Sequence, residues 1–224
     1  MQTIARNRMI GLVLVMVLFS CSASGRSRRK RRTAVPGSFA YYLLVLSYAP
    51  NFCDQPQGNK DPLECGSGRK IGFVVHGLWP QGESSRGPES CAPASPVAQT
   101  IVQTMLRYIP TESLIQHEWA AHGTCTGLSP TEYFGLVAKA RDSVAIPPDL
   151  AQPLKTLHLS PSSVESEFAA ANASFPPAAF RTSCYKDGEF NEIRICLNQD
   201  LSPRACGVSA GECTTPTATV LPVR

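Results

Sequence analysis

HEWAAHGTC, residues 117–125, packs two histidines and a glutamate into six positions of a chain that has only four histidines among 224 residues. Its HEWAAHG part reads as a short helix stopped by Gly123. Glu118 and His122 are four apart and share a face, which lets a carboxylate orient an imidazole or raise its pKa. His117 and His122 are five apart, about 140° around an ideal helix. That spacing departs from the H-E-x-x-H zinc helix, whose histidines are four apart. General acid–base chemistry therefore fits better than a metal. An ordinary helix carrying these polar residues is the alternative that the stretch alone leaves open.

A second stretch, FVVHGLWPQ at residues 73–81, overlaps KIGFVVHGLWP (70–80), which reads as a strand whose C-terminal end carries His76. His158, in KTLHLSP, has no polar cluster near it and reads as structural. Two histidines with pKa values near neutrality can exchange roles, one taking a proton and one giving it. Such a pair cleaves RNA without a metal. A base deprotonates the ribose 2′-hydroxyl, an acid protonates the leaving 5′-oxygen, and a third group stabilises the phosphoryl charge. DNA lacks the hydroxyl and would be excluded.

The segments around these motifs describe one domain. FAYYLLVLSYAP (39–50) reads as a buried strand ended by Pro50, and Ile193, Ile195 and Leu197 mark a late strand. Helix starts are expected at Ser95-Pro96, at Ser129-Pro130 with Glu132 completing a capping box, and at Ser160-Pro161. Strands and helices mix without a βαβ rhythm, which implies an α+β fold.

The N-terminus reads as an export signal: Arg6 and Arg8, then the apolar run MIGLVLVMVLFS (9–20), too short to span a bilayer comfortably, then small residues. Residues 1–24 are assigned to this signal, with lipid attachment at Cys21 as a variant. Residues 25–37 form a basic linker, 38–213 the folded domain, and 214–224 a loose Thr- and Pro-rich tail. The formal charge of +4 is misleading. Residues 1–32 hold eight basic and no acidic residues; the remainder holds thirteen basic against seventeen acidic. The body is mildly acidic, and the basic arm RSRRKRR is a solvated linker, a tether to an anionic surface or a processing site. Eight cysteines remain after Cys21, an even number suited to an oxidising compartment, secreted or periplasmic. No C-x-x-C pair is present. Asn172-Ala-Ser174 matches a glycosylation sequon.

At the histidine motifs the chain resembles the ribonuclease T2 family of acid endoribonucleases. FVVHGLWP matches the family's first signature, and HEWAAHGTC matches all but one fixed position of the second. FAYYLLVLSYAPNFC resembles the opening strand, with Tyr48 where tryptophan is usual, and ICLNQDL the late strand; the similarity runs from about Phe39 to Cys206. The resemblance implies a central antiparallel sheet with surrounding helices. It implies catalytic His76 as acid, His122 as base, His117 on the phosphate and Glu118 supporting the transition state. Trp79 would stack on a base and Gln81 would hydrogen-bond it. No cofactor or metal is implied, the substrate would be single-stranded RNA, and the protein would be a monomer without a transmembrane span once processed. It also implies disulfides Cys53–Cys65, Cys91–Cys125, Cys184–Cys196 and Cys206–Cys213. One departure stands out: Ala121 occupies the position of the family's lysine, beside the second histidine. Its loss implies reduced activity, or another cation such as Lys139 or Arg141, or a catalytically impaired relative that binds RNA or protein.

Overall fold

The computed structural model describes residues 35–58, 61–66, 68, 70–84 and 86–223. The export signal, Cys21 and nearly all of the basic arm lie outside the described residues. The described elements are, in order, β1 (Tyr41–Tyr48), α1 (Ala49–Asp54), α2 (Pro62–Cys65), β2 (Phe73–Gln81), α3 (Gln99–Met105), α4 (Glu112–Ala121), α5 (Pro130–Asp142), α6 (Pro148–Ala151), β3 (Leu157–Leu159), α7 (Pro161–Ala171), β4 (Phe180–Cys184), β5 (Phe190–Leu197) and β6 (Ala218–Val220). β2, β1, β5 and β4 form a fully antiparallel sheet in that order, and β3 pairs with β6. The α+β expectation holds.

Strand alternation sorts the sheet into two faces. Tyr42, Leu44, Leu46 and Tyr48 of β1 join Ile193, Ile195 and Leu197 of β5 in the main core, packed against Phe134, Val164 and Phe168 of the helices. The opposite face carries Leu43, Val45 and Ser47 from β1 and, by register, Cys196, Arg194 and Glu192 from β5. The sequence places apolar residues on one face throughout and mixes polar ones into the other.

One irregularity in this pattern makes the site. Val45 pairs with Gly77 and Leu46 with Val75, so His76 has no partner residue on β1. A β-bulge of this kind re-aims a side chain. Without it His76 would share the core face with Leu78, two residues on. Instead both His76 and Gly77 turn to the polar face, while Val75 and Leu78 remain in the core.

The expected caps at Ser129 and Ser160 form: Ser129 and Glu132 make the reciprocal capping box, and Ser160 accepts from the Ser163 amide. The helix expected at Ser95-Pro96 begins later, at Gln99. The Gln116 side chain accepts from the Val97 amide at 2.9 Å and donates to its carbonyl at 3.3 Å, which holds that residue extended. The tail assigned as loose is instead ordered. β6 lies within it, and Asn51 donates to the Thr219 carbonyl and accepts from the Leu221 amide. The supposed linker's end is also tied down, since the Gly37 amide donates to the Cys125 carbonyl at 2.8 Å.

The disulfides Cys53–Cys65 and Cys91–Cys125 form as expected. The other two expected pairings, Cys184–Cys196 and Cys206–Cys213, are corrected to Cys184–Cys213 and Cys196–Cys206. Register explains why. Cys184 lies opposite Phe190, so Cys196 sits six residues further along the strand, roughly 20 Å away. The Cys213 amide donates to the Thr182 carbonyl beside Cys184, and the Cys206 amide donates to the Ala178 carbonyl at the other end of β4.

Asn172 is buried, and its side-chain amide bonds Ala145 and Phe168. The sequon is therefore inaccessible in the folded protein. Among the described residues no helix is long and apolar enough to cross a membrane.

Candidate active site

α4 buries Ile115 and Trp119 in the main core beside Val75 and Leu78 of β2, and brings Glu118 of HEWAAHGTC against His76 and Trp79 at the bulge. Thr111 caps its start by accepting from the Leu114 amide. The helix ends at Ala121; His122 is its C-cap (φ −119°, ψ −43°), its amide still donating to the Glu118 carbonyl, and leads into a tight turn through Gly123–Cys125. Ser90 donates its amide to the Ala121 carbonyl, and the Cys91–Cys125 bond lies beside it. The loop after the first motif is thus fastened to the end of the second.

His76, Glu118, Trp79 and His122 form one cluster. Trp79 donates its indole N–H to Glu118 Oε2 at 2.8 Å. Its ring meets His76 edge-on, with centroids 5.1 Å apart, and stacks on His122 at 5.0 Å and 25°. Glu118 is fully buried, and its Oε1 lies 3.7 Å from His76 Nε2. Gly77 is required for this approach, because a Cβ there would overlap the Glu118 carboxylate and the Trp79 indole nitrogen.

The helix-face pairing of Glu118 with His122 does not form. Burial beyond the end of α4 turns the imidazole onto Trp79, and Glu118 serves His76 instead. His122 Nδ1 is buried with no hydrogen-bond partner among the described residues.

His117 is exposed and opens with His76 onto a cavity of about 480 Å³ that also includes Ser47, Glu64, Tyr185 and Glu192. His122 opens onto a separate cavity of about 210 Å³ with Trp79, Gln81, Arg86 and Arg194. Trp79 lines the second of these cavities and is in ring contact with both histidines. Gln81 is buried, and its side-chain oxygen accepts from the Gly87 amide at 3.0 Å, which shapes the loop. His158 lies on β3, 3.3 Å from Thr219 Oγ1 and away from the cluster.

Three residues escaped the sequence reading. Glu192 Oε1 accepts from His76 Nδ1 at 2.9 Å. Arg194 grips the other oxygen of Glu192 through Nε at 3.0 Å and Nη2 at 2.9 Å, and donates through Nη1 to the Ala210 carbonyl. Ser47 Oγ lies 3.4 Å from both Glu192 Oε1 and His76 Nδ1. The available signal was alternation: Glu192 and Arg194 fall on the face opposite Ile193 and Ile195.

Neither Lys139 nor Arg141 reaches the gap left at Ala121. Lys139 lies near Asp200, and Arg141 donates to the Val144 carbonyl beyond its own helix. Arg86 and Arg194 are the guanidinium groups on the His122 cavity.

Electrostatics push the two histidines apart. Burial lowers the His122 pKa to about 3, with His76 and His117 adding to the shift. Burial acts downward on His76 as well. There, however, the hydrogen bond and charge of Glu192, helped by Glu118, outweigh both burial and Arg194, and the net shift is upward. Burial pushes Glu118 up to about 7 against the opposing effects of His76 and Trp79. Burial also acts upward on Glu192, but His76 and Arg194 overcome it and keep that carboxylate below its ordinary range. Among the described residues, no group of three His, Cys, Asp or Glu side chains converges to hold a metal ion.

A four-stranded antiparallel sheet flanked by helices, with two histidines meeting across one tryptophan, defines a ribonuclease T2-type fold. An RNase-related protein from Calystegia sepium superposes with a TM-score of 0.66 at 18% identity, over 83% of this chain and 98% of that one. A ribonuclease crystallised with 5′-AMP gives 0.57 at 20% identity, over 75% and 95%. The ribonuclease T2 family model matches residues 39–206, and the chain belongs to that family. A ribonuclease of Aeromonas hydrophila is 29% identical over 165 residues, covering 73% of this chain and 74% of its own.

Proposed function

We propose that the protein is an endoribonuclease that cleaves single-stranded RNA by transphosphorylation through a 2′,3′-cyclic phosphate, with no metal and weak base preference. The observation that carries this reading is the opposed tuning of two histidines set around one tryptophan. An environment that keeps one imidazole neutral and the other protonated assigns base and acid. His122 stays neutral down to about pH 3 and serves as the base on the 2′-hydroxyl. His76 keeps 32% of its side chain exposed, is held protonated, and serves as the acid to the leaving 5′-oxygen.

Glu118, with its pKa near 7, is a neutral acid under acidic conditions. Fully buried, it acts in that form through its contacts with Trp79 and His76. His117, exposed at the mouth of the His76 cavity, is placed to hydrogen-bond the phosphate. Stacking on Trp79 tolerates any base; the face not covered by His122 is the one that serves it. Gln81 has only its amide nitrogen left for a base edge. Arg86, exposed on the loop after β2, is the cation best placed to offset Ala121.

The four disulfides of the described domain suit an oxidising compartment, and we assign the protein to export, as a monomer. The test is digestion of single-stranded RNA with and without EDTA, by wild type, His76→Ala and His122→Ala. The reading expects EDTA-resistant cleavage, cyclic-phosphate ends and loss in both variants. Cleavage abolished by EDTA would overturn the mechanism. Binding of RNA without cleavage would favour the impaired relative.

A further inference from the structure

We propose that Glu192, clamped by Arg194, is a positioning residue that fixes His76 with its Nε2 turned toward the reacting phosphodiester. This rests on the ribonuclease reading for its consequence, though not for its geometry. An acid working from one ring nitrogen needs the other nitrogen tied. Otherwise the ring rotates about its two side-chain bonds, and the neutral form is divided between tautomers. His76 sits at a bulge with no partner residue on β1, so the strand ladder does not fix it.

Glu192 supplies the missing constraint. Its Oε1 accepts a hydrogen bond from Nδ1–H at 2.9 Å, while Arg194 grips Oε2 with two bonds of 2.9–3.0 Å. Two guanidinium N–H groups converging on Oε2 hold that oxygen with charge-assisted bonds and leave Oε1 to His76. Arg194 is itself anchored by the Ala210 carbonyl, in the segment that Cys196–Cys206 and Cys184–Cys213 staple to the sheet. The two late disulfides therefore bear on the catalytic histidine through Arg194 and Glu192.

The proton balance is simple. Nε2 gives its proton to the leaving 5′-oxygen, Nδ1–H stays on Glu192, and the ring is left as the neutral Nδ1–H tautomer. The later hydrolysis of the cyclic phosphate lets a water return a proton to Nε2. Other groups around His76 are Glu118 and His122 from the α4 end, His117 at the cavity mouth, Ser47 on β1, and Glu64 and Tyr185 on the cavity wall. Among the described residues only Ser47 joins Glu192 in reaching Nδ1, and it does so at 3.4 Å.

The test reads His76 directly, by ring ¹⁵N and ¹³C shifts across a pH titration, alongside pH–rate profiles on RNA. Wild-type His76 should deprotonate to the Nδ1–H tautomer. In Glu192→Gln its titration and the basic limb of the rate profile should move together to lower pH. kcat should fall about 10- to 100-fold with KM little changed, short of the roughly 10²–10⁴ expected for loss of a general acid. Glu192→Asp should recover part of both shifts, which general loosening of the fold would not do. The Nε2–H tautomer in wild type, or an unmoved His76 titration in Glu192→Gln, would overturn the proposal. The wild-type tautomer and Glu192→Asp decide the matter if Glu192→Gln does not fold. Failure of wild type to cleave RNA would refute the ribonuclease reading instead.

Discussion

Replacing Glu118 with glutamine should stabilise the protein at neutral pH while impairing it as an enzyme. The carboxyl is fully buried and its pKa is pushed up to about 7, from an ordinary value of 4.5. Between those two values the unfolded chain has released this proton and the native protein has kept it. Native stability therefore falls as pH rises through that window. At about 1.4 kcal/mol per pH unit, the full shift costs the wild type roughly 3 kcal/mol by pH 7 and almost nothing at pH 4. Glutamine mimics the neutral acid: its carbonyl can still accept from Trp79, and it carries no charge to desolvate. The attraction to His76 is already contained in that pKa, so the expected gain is about 3 kcal/mol at pH 7, shrinking toward zero near pH 4. Urea unfolding of both proteins at pH 4, 5.5 and 7, read by tryptophan fluorescence, measures this. A variant less stable than wild type by the same amount at every pH would refute the assignment of Glu118 as a strained buried acid.

Three further outcomes follow from the site. RNA cleavage should be bell-shaped on the acidic side, with a lower limb near pH 3 where His122 protonates and an upper limb set by the raised pKa of His76; a maximum above pH 8 in initial-rate assays would contradict this. Removing Cys91–Cys125 as a double alanine variant opens a loop with a sequence separation of 34, so it should cost about 3–4 kcal/mol in the chain-entropy model. It should also lower activity, because that bond fastens the Ser90 loop to the end of α4; thermal unfolding and RNA assays test both effects. Ala121→Lys should raise kcat by roughly tenfold or more, since one donor to developing phosphoryl charge is worth on the order of 10²–10³, and an unchanged kcat would mean that Arg86 or another group already fills that role.

The two motifs and the alternating strands carried most of the fold, because buried strands and Ser-Pro helix starts leave local marks. What escaped was long-range. The i, i+4 rule paired Glu118 with His122, yet His122 lies past the helix end, where that rule no longer applies. The bulge that turns His76 out is a matter of register between two strands, and nothing within FVVHGLWPQ marks it. The late cysteines paired wrongly for the same reason: neighbours in sequence sit at opposite ends of β5 and β4. Glu192 and Arg194 could have been placed on the polar face by alternation, but not against His76. That contact depends on β1 lying between β2 and β5.

The assignment of acid and base is the central claim, and a change of leaving group tests it most directly. An uridine 3′-phosphodiester with a 4-nitrophenyl leaving group departs without protonation, so it needs the base but not the acid. The account expects His76→Ala to lose about 10²–10⁴ on RNA and to recover most of that on the activated ester, while His122→Ala fails on both. Recovery by His122→Ala, with none by His76→Ala, would reverse the roles assigned here.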